Sequence, residues 1–111
     1  MNDIDTISSK GALLAYIVAD AFCPEKTTFL TPPEFKQQVG FIVYPKGGEV
    51  KRHVHRALER HLVGTSEVLQ VKKGRCILDV YNDARELVAS RELRTGDLMF
   101  MVGGGHGFRM L

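Results

Sequence analysis

Four side chains in this sequence have the types and spacing to hold a metal ion: His53, His55, Glu67 and His106. His53 and His55 flank Val54. Residues two apart in a strand face the same side, so both rings would reach one ion across about 7 Å of extended backbone. Glu67 opens a run in which Leu69 and Val71 share its face. If that face lines an interior, the carboxylate is buried, and a buried unpaired carboxylate costs several kcal/mol. A divalent cation offsets that cost, because carboxylate and imidazole suit Mn, Fe, Co, Ni, Cu and Zn. His106 follows Gly103-Gly104-Gly105, whose freedom lets the backbone approach closely and bring one more imidazole inward. On its own, the His-x-His pair reads equally well as two surface histidines on a basic strand. His61 fits no pattern and reads as exposed. Met99 and Met101, beside Phe100, read as core, and Asp97 as a turn residue after Gly96.

The elements that must position these residues are short strands. Gly, Pro, Asn and Asp punctuate the chain at close intervals. Strands are expected near 12–18, 37–45, 49–55, 66–73, 75–81, 86–93, 97–102 and 106–111, so the two paired histidines would sit on the third. Segment 56–63 fits a helical turn or a long hairpin equally. Regular short strands with turn signals point to an all-β sandwich or barrel.

Bulk properties bound the rest. A chain of 111 residues makes a single domain that folds without staples. Cys23 and Cys76 form no metal or redox motif and read as free thiols in a reducing compartment. The longest apolar stretch, 11–19, is far short of the ~20 residues of a membrane span. The Ala19-Asp20-Ala21 sequence after it has the small-x-small form of a signal-peptide cleavage site, but Asp3 and Asp5 precede it with only Lys10 as a positive charge. A signal peptide wants a basic start. The stretch therefore reads as a strand and the protein as cytoplasmic, with no membrane partner. Net charge is +2, yet residues 46–75 carry eight Lys and Arg against three Glu, a balance of +5. Such a field near the histidines favours an anionic small molecule, while the total is too small to argue for nucleic acid.

The spacings resemble those of the cupin superfamily, whose first motif has the form G-x5-H-x-H-x3,4-E-x6-G and whose second has the form G-x5-P-x-G-x2-H-x3-N. Gly47 precedes His53-Val54-His55 by the required five residues, and Glu67 precedes Gly74 by the required six. The tail from Gly96 to His106 is similar to the second motif, and the resemblance covers residues 41–108. It departs from the pattern at several places. Eleven residues separate His55 from Glu67, Val102 stands where Pro is usual, His106 comes one residue early, and Met110 occupies the Asn position. Glu59, with three residues between it and His55, competes with Glu67 for the carboxylate position. Glu67 is favoured because its strand alternates and ends in the Lys73-Gly74 turn, whereas Glu59 lies among Arg56, Arg60 and His61.

The resemblance implies a small double-stranded β-helix barrel, jelly-roll-like, that holds one divalent ion (Fe, Mn, Ni, Co or Zn) with His53, His55, Glu67 and His106. Lys51, Arg52 and Tyr81 are the expected ligand-binding residues, and Arg109 is within reach of the same ligand. The implied function is metal-dependent chemistry on a small, anionic metabolite, of the dioxygenase or sugar isomerase and epimerase kind. The alternative is a non-catalytic module that binds a sugar or anion. Small cupins pair, and this chain ends at Leu111, before the closing strands usual in the family. A homodimer is therefore expected, with a neighbouring subunit completing the sheet or the chain shortened at its end.

Overall fold

A computed structural model describes residues 3–59, 61 and 64–111. Its elements are all strands, and among the described residues there is no helix. The chain divides into two compact units, one made of Met1–Phe22 and Val63–Leu111, the other of Cys23–Leu62.

The first unit is built from β1 (Ile4–Ser9), β2 (Ala12–Val18), β5 (Glu67–Gln70), β6 (Arg75–Tyr81), β7 (Leu87–Arg94), β8 (Leu98–Met101) and β9 (Gly105–Met110). They form two antiparallel sheets, ordered β1-β2-β8-β5 and β7-β6-β9, and neither closes into a barrel. Register explains the core. Ile17, Met99 and Leu69 lie side by side across the first sheet, as do Ile7, Ala15 and Met101. Leu93 and Cys76 do the same across the second. With Leu14, Leu78 and Val80, the buried members of these rows form one cluster drawn from both sheets, and the partly buried Leu69 packs against it. Alternate residues on each strand point at the opposite sheet, the arrangement of a sandwich. Tyr16 and Phe100 stack on the other face of the first sheet, with ring centroids 6.5 Å apart.

The turns use the residues the sequence offered for them. Gly74 and Gly96 both take φ +93, a conformation that costs glycine little. A side chain at Gly96 would also strike the Asp20 carboxylate. Asp97 serves its turn as expected: its carboxylate accepts the amides of Arg94 at 2.8 Å and Asp20 at 2.9 Å.

The second unit holds one small ladder, β3 (Thr28–Phe29) against β4 (Gly40–Phe41). The Thr27 hydroxyl extends it by accepting the Val43 amide and donating to the Val43 carbonyl. Gln38 closes the intervening loop, donating its amide to the carbonyls of Pro32 and Phe35 and accepting the Thr31 hydroxyl.

Three expectations are corrected here. The strand at 37–45 shrinks to Gly40–Phe41. Residues 49–55 form no strand. Their only apolar residues, Val50 and Val54, are 49% and 93% exposed, so the segment has no apolar face to bury. In segment 56–63, residues 56–59 and 61 adopt neither helix nor strand; Arg60, Leu62 and Val63 lie outside the described residues.

Candidate functional site

The feature richest in chemistry lies at one edge of the sandwich. β5 is the last strand of the first sheet and β9 the last strand of the second. Glu67 opposes Met101 in register, so it shares the inward face with Leu69. His106 opposes Val80, so it too faces inward. The two edges therefore bring His106 Nε2 to 3.5 Å from Glu67 Oε1. Phe108, two residues on, meets the imidazole edge to face at 5.7 Å between centroids and limits how the ring can turn. Glycine is needed just before it. Gly104 takes φ +65, and a side chain there would strike the Tyr81 carbonyl, so the close approach expected of the glycine run is real at this position. The expected burial of Glu67 is corrected: its side chain is 49% exposed. An inward face on an edge strand is covered from one side only.

A shallow recess of about 460 Å³ opens beside His106, with Tyr81, Asn82, Asp83 and Arg85 on its wall. Tyr81 thus lines the same recess as His106. Arg85 was missed. It stands at φ +65 in the β6–β7 turn, which Asn82 closes by accepting the Glu86 amide at 3.0 Å. The Asn82-Asp83 turn signal located the turn, but no periodicity marks which of its side chains faces the recess.

No family model, curated protein or solved structure matches this chain.

His53 and His55 belong to the second unit. Both are exposed, and their rings meet at 5.1 Å between centroids with planes at 66°. His53 Nδ1 lies 2.8 Å from the Lys51 carbonyl. Their proximity therefore comes from a loop, not from the strand alternation expected. Lys51 and Arg52 are exposed on the same loop. His55 also lines a recess of about 1100 Å³ within this unit, alongside Phe29, Phe35, Lys36 and Glu59. Glu59 and His61 are exposed as expected. Among the described residues, no group of three His, Cys, Asp or Glu side chains stands in metal-holding geometry.

Arg109, expected within reach of a ligand, is committed elsewhere. Its guanidinium donates to both oxygens of Asp79, Nε at 2.9 Å and Nη2 at 3.0 Å. The Ser90 hydroxyl donates to the same carboxylate. The Arg109 and Ser90 hydrogen bonds hold the Asp79 carboxyl below the usual range. Cys23 is exposed and Cys76 buried, both as free thiols, and burial pushes the Cys76 thiol up.

Proposed function

We propose that this chain is a small metal-binding cupin in which Glu67 and His106 take one divalent ion, and that it acts on a small anionic metabolite. One observation carries the reading. A carboxylate and an imidazole from two different sheets, picked out by two separate sequence motifs, stand 3.5 Å apart. Their donor chemistry fits borderline divalent ions such as Fe, Mn, Co, Ni and Zn. A jelly-roll packs two antiparallel sheets face to face, and the sandwich of the first unit supports the finer fold assignment. When bound, the metal supplies Lewis-acid polarisation of a ligand oxygen. The chain's own residues do the remainder. Phe108 orients the His106 ring, Tyr81 lines the recess beside it, and Arg85 supplies positive charge for an anion. Oxygenase or isomerase chemistry is what the family resemblance implies for such a site, and a homodimer is part of the same proposal.

The test is metal titration of protein carrying no polyhistidine tag, with Mn²⁺, Co²⁺, Ni²⁺ and Zn²⁺ in turn. One ion per chain is expected. Glu67→Gln and His106→Gln should each weaken binding by at least about tenfold, the lower bound for losing even an outer-shell partner. Glu59→Gln should change nothing. Wild-type affinity in both Glu67→Gln and His106→Gln would end the proposal, and a loss confined to Glu59→Gln would move the carboxylate position to residue 59.

A further inference from the structure

The edge that carries Glu67 and His106 continues into a second feature with different chemistry. Beyond Phe108, β9 presents Met110 inward, opposite Cys76 in register. Across from them β5 presents Leu69, followed by Val71, and both pack against the core. These side chains border an apolar slot of about 450 Å³, with Cys76 and Leu93 also on its wall. That volume lies within the roughly 300–1,000 Å³ range of small-molecule clefts. The slot is incompletely covered, since Phe108 is 37% and Met110 74% exposed although both face the interior side of their sheet. Its far end is the β5–β6 turn, where Lys72, Lys73 and Arg75 form the rim. Arg75 is already paired with Glu92 at 3.2 Å. Lys72 and Lys73 are exposed, and none of the ion pairs among the described residues uses either one.

We propose that this slot binds a straight-chain amphiphile with a single carboxylate head, a medium-chain fatty acid. The alkyl chain covers Leu69, Val71, Phe108 and Met110, and the carboxylate meets Lys72 and Lys73. Apolar surface drives the binding, which is roughly proportional to the area removed from water. The two free ammonium groups select the sign of the head group. Charge complementarity is what chooses this occupant, because a carboxylate head supplies the counter-charge that the Lys72 and Lys73 rim lacks. The slot lies beyond Phe108 from the Glu67–His106 pair, so the inference stands apart from the metal reading.

The experiment is calorimetric titration of the full chain in EDTA with decanoate, decanol and decyltrimethylammonium. Decanoate should bind saturably, one per chain, and more tightly than either of the others. Lys72→Glu/Lys73→Glu alters two exposed side chains and should retain the wild-type fold. It should weaken decanoate by about tenfold, the order expected when two exposed ion pairs are reversed, and leave decanol unchanged. Met110→Asp should weaken decanoate and decanol together. Amide shifts on decanoate binding should map to β5, the following turn and β9. Absence of saturable binding, equal affinity for the two charged probes, or shifts mapping elsewhere would overturn the proposal. So would protection of the β9 and β5–β6 turn amides that rises with protein concentration in the absence of decanoate, since the slot would then be covered by a second copy.

Discussion

At the edge where β1 meets β7, Arg91 Nε reaches Asp5 Oδ2 at 2.6 Å. At the edge where β5 meets β9, His106 Nε2 reaches Glu67 Oε1 at 3.5 Å. The two edges are built alike. Each puts an inward-facing carboxylate of the first sheet against an inward-facing nitrogen base of the second. Asp5 opposes Ile17, and Arg91 opposes Leu78, so both members of the first pair point the same way as the core. The chemistry differs. A guanidinium is always charged and binds no metal, so the Asp5–Arg91 pair can only fasten. An imidazole can give up its proton and serve as a ligand, and its contact with Glu67 is longer. One edge is therefore a clasp, and the other is open to exchange: a recess lies on one side of His106 and an apolar slot beyond Phe108. The sandwich thus closes one margin with an ion pair and leaves an imidazole and a carboxylate accessible at the other.

The comparison can be broken or sharpened by experiment. The harshest test removes what the edges share. Leu78→Ala empties a fully buried position and should cost about 2–5 kcal/mol in denaturant unfolding. Both edges should loosen together in hydrogen exchange; loosening of one alone would mean they do not share a core. Metal comes next. A divalent ion at a hundred times its dissociation constant should stabilise the protein by roughly 2.7 kcal/mol. At the same metal concentration Glu67→Gln should remove about half of that gain or more, and Asp5→Asn should preserve it, as read by thermal melting. Acid should act through Asp79. Its folded pKa lies below the ordinary 3.8, so its contribution is present above that value and is lost as pH falls through the folded pKa. Asp79→Asn should flatten the stability profile below about pH 4, where proton uptake on unfolding is otherwise linked to stability. The smallest effect is the clasp itself. Its side chains are 45% and 36% exposed, so Asp5→Asn should cost no more than about 0.2–1 kcal/mol, shrinking in high salt. A larger loss would show that the edge carries more than an ion pair.

Much of the first unit was legible in the sequence. β2 and β6 fall at the expected residues, and β7, β8 and β9 fall within one, because Gly, Asn and Asp turn signals mark their ends. β1 escaped notice. Ile4 and Ile7 stand three apart, which is not strand alternation, and a register shift between Ile7 and Ser8 interrupts its pairing with β2. The strand expected at 49–55 failed for the opposite reason: residues alternated there without an apolar face. Glu67 and His106 could be paired from their motifs, but the exposure of Glu67 could not. Exposure depends on β5 being an edge strand, and strand order across two sheets is a long-range property that local spacing does not encode. Likewise, Arg109 looked available until pairing with β6 set it beside Asp79.

The Asp79 carboxylate touches all three strands of its sheet: its own β6, β7 through Ser90 and β9 through Arg109. A terminal strand ordinarily frays first, opening and closing without consulting its neighbours. Here the outermost ribbon is tied sideways to the one two places away, so releasing it leaves a largely buried carboxylate short of donors. That penalty makes peeling cooperative. β9 should exchange its amides on the timescale of β6, and the wall that presents His106 should open as one panel.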